Sequence, residues 1–279
     1  MLLVTGANGQ LGQELRKRLV KSEAIFTTST ELDLADHASI NQISERRDLT
    51  GIINCGAFTA VDAAEDDRIK AHAVNATALS QLGRIGRELN IPVIHVSTDY
   101  VFDGKNHRPY IESDPTSPVN YYGATKLLGE KALLAETDLC AIVRTSWVYS
   151  RQGKNFVQTM LKLGESRPSL NVIFDQIGTP TYAADLAQTL ITVARNLKPG
   201  LPKIFHYSNE GVASWYDFAK AIFEIQGMPT KVSPILSKDY PTRAGRPHYS
   251  VLDKSLIKST FDIEIPHWRE SLQKCLKQS

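Results

Sequence analysis

Val4–Gly12, VTGANGQLG, is the stretch on which the fold turns. It closes a short apolar run, LLVT (2–5), and opens an amphipathic one, so its glycines fall between a strand and a helix. Gly6, Gly9 and Gly12 let the chain turn tightly and bring its backbone against a pyrophosphate. The free N–H groups and the dipole at the helix start attract that negative charge. The spacing is Gly-x-x-Gly-x-x-Gly, not the commoner Gly-x-Gly-x-x-Gly, and glycines also cap helices and make turns. Its place directly after the first strand favours a dinucleotide cradle over those alternatives.

Working outward, further β-branched runs recur at IFTT (25–28), GIINC (51–55), PVIHVS (92–97) and AIVRTS (141–146), each separated by a helical pattern. Strands alternating with helices require crossovers, hence a parallel sheet with helices on both faces. The expected class is α/β, a Rossmann-like doubly wound sheet. Ala63–Asn90, with Ala, Leu and Ile at helical spacing, predicts one central helix. After about Ser150 the pattern loosens around LKPGLP, GMPT and AGRP. Residues 1–150 therefore read as a dinucleotide-binding domain joined by part of 178–206, and 151–279 as mainly a smaller α/β substrate-binding domain.

Composition excludes several partners. A chain of 279 residues, 42% hydrophobic, can bury a large core. Thirty-two Lys and Arg face thirty Asp and Glu with no basic run interleaved by aromatics, so nucleic acid is not expected. The opening MLLVTG lacks a leader pattern and no apolar run spans a bilayer, which reads as a cytoplasmic protein without membrane attachment. Cys55, Cys140 and Cys275 lie far apart and the seven histidines are scattered, so neither a disulfide framework, a structural zinc nor a protein-ligated catalytic metal is expected.

The chemistry concentrates in three places. In VNYYGATK (119–126) helical spacing puts Tyr122 and Lys126 on one face and leaves Tyr121 beside Thr125. A lysine ammonium beside a phenol favours the phenolate, so a Tyr-x-x-x-Lys pair suits acid–base work; the alternative is a surface tyrosine on a lysine stem. In HVSTDYVFDG (95–104) the strand ends at the sheet's carboxyl edge, making Ser97, Thr98, Asp99 and Tyr100 candidates for substrate contact, or else a turn. The second strand ends TTST, with Glu31 and Asp33 late for a ribose contact. Asp33 and Asp36 suit helix caps as well as a ribose, and the choice between NADH and NADPH stays open, tipped toward NADPH by Thr28, Ser29 and Thr30.

Glycine loop, strand-end Ser-Thr and Tyr-x-x-x-Lys, in that order, resemble the extended short-chain dehydrogenase/reductase family. Eight ordered blocks narrow the likeness to its dTDP-4-dehydrorhamnose reductases: NCGAFTAVDAAE, STDYVFDG, YGATKLLGE, RTSWVYS, NFVQTML, DQIGTPTYAADLA, SWYDFA and RPHYSVLD. The resemblance implies hydride transfer from NADPH or NADH to the C4 ketone of a nucleotide sugar, dTDP-4-dehydro-L-rhamnose. It implies a cofactor site of Gly6, Asn8, Gly9, Gln10, Leu11, Asp33, Leu34, Ala57, Phe58, Thr59 and Val96, completed by Tyr122 and Lys126. Tyr122 would donate the proton, Lys126 would hold the cofactor ribose and keep the phenol's pKa down, and Thr98 would polarise the ketone.

Val61, Asp99, Tyr100, Trp147 and Arg246 would meet the substrate, although Trp147 also suits a core aromatic and Arg144 a structural ion pair. Arg243, Arg246 and Lys154 are candidates for the substrate diphosphate. This chain has Gly56-Ala57 where the family usually has Ala-Ala, and Phe58 where it has His or Tyr. Some members hold Mg²⁺ at a dimer contact and Glu14 matches one ligand, but the other ligands do not show; no metal is assigned, and monomer and homodimer both stay open. Related dehydratases carry Asp-Glu after the Thr, where this chain has Asp99-Tyr100, which favours simple reduction; epimerisation is excluded less firmly. A non-catalytic regulatory subunit is the third reading, but it would not need the retained Thr98, Tyr122 and Lys126.

Overall fold

Strands covered by helices on both faces need no polar alternation, and the central sheet here is built from such runs. The computed structural model describes residues 1–277. It contains β1 (Leu2–Thr5), β2 (Ala24–Thr27), β3 (Gly51–Asn54), β4 (Val93–Thr98) and β5 (Cys140–Thr145). β1, β3 and β5 are buried along their whole length. A sixth strand, Ile204–His206, pairs with β5, and the order is Ile204–His206, β5, β4, β3, β1, β2, all parallel. The chain moves outward from β1 to β2 and then returns past β1 to β3. The winding direction therefore reverses between β1 and β3, and their carboxyl ends frame a crevice.

The strand period of two sorts neighbouring side chains onto opposite faces. Val4, Ile53, Ile94 and Val143 meet Leu11 and Leu15 of helix α1 (Gln10–Arg18) together with Leu186 and Leu190 of the helix Ala183–Asn196. On the other face Leu3, Ile52, Val93 and Ile142 meet Leu79, Leu82 and Ile85 of Ala78–Leu89 and Leu133 of Tyr121–Glu136. A separate core lies among the helices Phe156–Ser166, Trp215–Gln226 and Trp268–Lys277, beside a small parallel pair, Ser169–Ile173 with Lys231–Ile235.

The single helix expected over Ala63–Asn90 is broken. A four-residue helix, Val61–Ala64, stops, and Asp67 restarts the chain at Arg68 by accepting the Lys70 N–H. Aspartate competes with a helix's own bonds, which makes it a good cap and a poor interior residue. Ala73–Thr77 then widens into a π turn before Ala78–Leu89 continues, closed by Asn90 in the left-handed region (φ 54°). The π turn contains Asn75, 1% exposed, whose side chain bonds the Phe58 backbone. Such widened turns frequently mark functional sites.

Arg144 on β5 forks onto Glu130 of the helix Tyr121–Glu136 at 2.7 Å, with side chains 3% and 2% exposed, and Ser97 of β4 donates to the same carboxylate. The pair thereby ties β4, β5 and that helix together. Removing one partner strands a buried charge, so Glu130→Ala should lower unfolding free energy in urea by about 3–5 kcal/mol. Adding Arg144→Met should recover part of the loss; a single-variant loss under about 1 kcal/mol would mean water already reaches the guanidinium.

Candidate active site

Gly6 adopts φ +68°, and a Cβ there would lie 2.7 Å from the Gly56 nitrogen, so the turns after β1 and β3 touch backbone to backbone. A Cβ on Gly12 would lie 2.4 Å from the Gly6 oxygen. Helix α1 starts at Gln10 with Gly9 as its cap and no side chain bonded to its first N–H groups, which leaves them for an anion. Leu11 is buried in the core, so only its backbone can face a ligand. Asn8 gives its carbonyl to Gln13. The Gln10 amide reaches the Val148 carbonyl and accepts from Ser150 and Asn155, fastening the 150–155 loop over the cradle. Lys154 is exposed on that loop.

Where an adenosine would lie, Asp33 is exposed and accepts the Ala35 N–H, and Asp36 caps the helix His37–Asn41 through the Ala38 N–H. Asp36 thus caps a helix, and Asp33 closes a local turn. Leu34 is buried, its side chain 2.5 Å from where a Cβ on Gly56 would stand. Glu31, judged late in sequence, folds back and accepts from both the N–H and hydroxyl of Thr28, so a carboxylate does stand at the end of β2. Ala57, Phe58 and exposed Thr59 follow β3. Asn75 clamps Phe58 through N–H to Oδ1 (2.9 Å) and Nδ2 to carbonyl (3.1 Å), and it also donates to Thr125. Val61 opens the next short helix, whose Asp62 accepts Arg246 at 2.8 Å and the Ala244 N–H at 2.9 Å; Arg243 pairs with Asp66. Both arginines expected at a diphosphate are therefore paired with acids.

The helix bearing the tyrosine pair begins at Tyr121, with Asn120 accepting the Gly123 N–H as its cap, so Tyr122 and Lys126 do share a face. Tyr121 points away, under the Arg68 guanidinium at 4.8 Å. Gly123 is required because a Cβ would lie 2.2 Å from the Tyr100 oxygen, the contact that seats the helix on the loop after β4. Tyr100 meets Tyr122 edge to face with centroids 5.9 Å apart. The Thr98 hydroxyl lies beside Tyr122, donates to Asp99 Oδ1 (3.0 Å) and accepts the Tyr100 N–H. Trp147 takes φ +48°, a strained backbone for a bulky residue, and stacks on Trp215 at 3.6 Å; a Cβ on Gly178 would strike its ring. It is half-buried at a strand end and not a core aromatic.

The proton states follow from burial. It pushes the Tyr122 phenol up to about 12, with Thr98 acting against it and Asp99 adding to it. It pulls Lys126 down to about 7, against Glu130 and Cys55. Lys126 does not figure among the groups acting on the phenol. The lysine nitrogen turns into the sheet, 2.7 Å from the Val96 carbonyl and 2.9 Å from His95 Nε2. Tyr122 therefore keeps its proton at neutral pH, the form a proton donor needs. His95, Asn54, Asn75 and Trp215 were not singled out from sequence. The available signal was a polar residue inside an apolar strand or helix, as in GIIN and VIHV, since a buried polar group needs a partner.

Among the described residues no group of three or more His, Cys, Asp and Glu is placed to hold a metal ion, and Glu14 is buried against Lys17 (2.6 Å) and Arg18 (2.8 Å). No helix among the described residues is long and apolar enough to cross a membrane.

The family model described as RmlD substrate binding domain matches residues 1–279. A dTDP-4-dehydrorhamnose reductase of Sinorhizobium fredii is 42% identical, over 98% of this chain and 95% of its own. The spore coat polysaccharide biosynthesis protein SpsK of Bacillus subtilis is 40% identical, over 99% and 97%. Among solved structures, the dTDP-4-dehydrorhamnose reductase of Bacillus anthracis in complex with NADP superposes with a TM-score of 0.94 at 34% identity, over 100% of this chain and 99% of that one.

Asp99, 2% exposed, provides a thermodynamic check on this buried site. Burial raises its carboxyl from 3.8 to about 7, with Ser250 and Thr98 only partly opposing. Between those values the folded protein keeps a proton that the unfolded chain releases, so this group destabilises progressively as pH rises from about 4 to about 7. Asp99→Asn should therefore raise unfolding free energy at pH 8 by roughly 2–4 kcal/mol and change little at pH 4. Equal effects at both pH values would show that the carboxyl titrates normally.

Proposed function

The chain belongs to the RmlD substrate binding domain family, and from that premise we infer that it reduces the C4 ketone of dTDP-4-dehydro-L-rhamnose to dTDP-L-rhamnose with NADPH or NADH. The observation that carries this is Tyr122 at the start of its helix beside the Thr98 hydroxyl, at the carboxyl edge next to a glycine cradle. The cradle fits a dinucleotide: side chains at Gly6 and Gly12 would fill it, and the first N–H groups of α1 have no side-chain cap. Bound there, a reduced nicotinamide supplies the hydride.

The protein's own residues do the rest. Tyr122 gives its phenolic proton to the C4 oxygen as negative charge develops on it, and Thr98, turning its one hydroxyl hydrogen away from Asp99, donates to the same oxygen. Lys126, anchored on the Val96 carbonyl, keeps a hydrogen for a ribose hydroxyl. Asn75 fixes the Ala57–Phe58 turn, which would form a side of the nicotinamide site. Stacked Trp147 and Trp215 wall off the sugar, and Arg246, released from Asp62, takes the substrate diphosphate with Arg243. In this arrangement the six-stranded unit including 183–206 binds the dinucleotide, and the remainder of 151–279 binds the nucleotide sugar. The product would feed cell-surface polysaccharide assembly. A cytoplasmic location and a monomeric or homodimeric state accompany that role.

Absorbance of NADPH and of NADH, followed with dTDP-4-dehydro-L-rhamnose, tests the assignment. Tyr122→Phe should lose about 10²–10⁴-fold in kcat while still binding cofactor. Wild-type protein that consumes neither cofactor would overturn the reductase assignment; a fully active Tyr122→Phe would overturn only the proton donor.

A further inference from the structure

The segment 175–178, DQIG, touches several of the elements that shape the substrate side of the site. A Cβ on Gly178 would lie 2.8 Å from the Trp147 ring, so the glycine backbone packs directly on that indole. Ile177 and Gly178 pair antiparallel with Ser214 and Ala213, immediately before Trp215. On its other side the Ile177 N–H donates to the His248 carbonyl at 2.7 Å, and the Ile177 carbonyl accepts the Ser250 N–H at 2.8 Å. The segment thus lies between the indole stack and the stretch that carries Arg246.

Within it Gln176 makes the connection through side chains. It is 7% exposed, and both ends of its amide are engaged. An indole Nε1–H can only donate, so the Trp215 contact at 3.2 Å fixes Oε1 as the amide atom facing the ring. The amide nitrogen is then the donor to Ser237 Oγ at 3.0 Å, and the Ser237 hydroxyl donates onward to Asp175 Oδ1 at 2.7 Å. Ser237 opens a loop that, with Gln176, Tyr240, Arg246 and His248, lines an open cavity. A glutamine that only satisfied a buried indole would use its carbonyl alone. This one gives its other end to a residue sixty-one positions away.

We propose that Gln176 is a positioning residue that acts through Trp215: it ties the indole stack to the loop at Ser237, so that a nucleoside diphosphate seated in that cavity sets the wall against which the sugar lies. Trp147 has little freedom of its own, with its backbone at φ +48° and Gly178 filling the space behind its ring. The Trp215 backbone is also held, as the first residue of a helix whose Ser214 cap bonds reciprocally with Asp217. What Gln176 controls is the tilt of the Trp215 indole. A displacement of about 1 Å at a reacting sugar is enough to cost about 10²-fold in rate.

The consequence for catalysis rests on the nucleotide-sugar function inferred above, whereas the link from Ser237 to Trp215 does not. Protein isotopically labelled at its indole nitrogens gives one NMR signal for each of its three tryptophans, Trp215 being identified by its loss in Trp215→Phe. Without ligand, Ser237→Ala should shift the Trp215 signal, and in a Gln176→Met background the same substitution should add nothing further. A signal indifferent to Ser237→Ala, or shifted equally in both backgrounds, would overturn the proposal. Thymidine diphosphate, the substrate without its sugar, should then move the Trp215 signal in the wild type. Gln176→Met should bind it with a Kd within about threefold of wild type by calorimetry, its Trp215 signal staying still. Movement in both proteins, or in neither despite binding, would also overturn it. With the whole substrate, Gln176→Met should lower kcat about 10–100-fold and leave KM nearly unchanged, whereas a rise in KM alone would reduce Gln176 to plain binding and refute the positioning role. If Gln176→Met fails to fold, as judged by circular dichroism, the ligand-free Ser237→Ala shift and the wild-type response to thymidine diphosphate decide. Wild-type protein that binds no thymidine diphosphate, while Ser237→Ala still moves Trp215, would sink the nucleotide-sugar assignment and the coupling built on it, and leave the link itself standing.

Discussion

Two backbone turns touch at Gly6 and Gly56, and the site is organised around that contact. With no Cβ on either residue, the loops after β1 and β3 close to a separation that a side chain at Gly6 would forbid. The winding reversal places these strands side by side, and the missing side chains let their ends meet. From this contact the cradle runs one way, through Gly9 to the start of α1. The Ala57–Phe58 turn runs the other, held by Asn75. Thr5, one residue before Gly6, bonds Asn54, which accepts the Gly56 N–H and meets His95 beside Lys126. Cofactor cradle and lysine environment therefore share their first hydrogen bonds.

Burial gives the site its acid–base character, and it acts with opposite signs on opposite charges. Removing water disfavours whichever form is charged, so it raises the Tyr122 phenol to about 12 and the Asp99 carboxyl to about 7, and lowers Lys126 to about 7. A solvated tyrosine–lysine pair would work as a phenolate and an ammonium. Here both partners move toward neutrality, the combination suited to giving a proton away. Glu130 favours the ammonium, but its carboxylate is paired with Arg144, so the structural ion pair also shapes the chemistry.

The sheet was legible because each of β1 to β5 is a short apolar run with helical spacing between, and the Tyr122–Lys126 alignment because four residues make nearly one helical turn. Departures came where a polar side chain serves a partner far away in sequence. Asp67 and Asn75 interrupt the long helix, the first to cap a restart and the second to clamp Phe58. The lysine nitrogen faces His95, thirty-one residues upstream, and not the phenol four residues away. Glu31 reaches the end of β2 by a backward turn that a count along the chain cannot show. Trp147 was expected at the sugar, but Trp215, its stacking partner sixty-eight residues on, has no local signature.

The arginines define what a ligand must overcome. Arg246 and Asp62 have side chains 21% and 46% exposed, so their pairing is a surface-type ion pair worth at most about 1 kcal/mol. A diphosphate presents more charge and more acceptor oxygens to the same guanidinium fork. Exchanging one carboxylate for it costs little, and Asp62 meanwhile retains the Ala244 N–H, so the segment need not be rebuilt on release. Asp62 thus holds the guanidinium in place beforehand, which limits the side-chain ordering that binding would otherwise require. Thr98 and Lys126 are buried, whereas the groups proposed to grip the diphosphate are more exposed and held by surface-type ion pairs, as reversible binding demands.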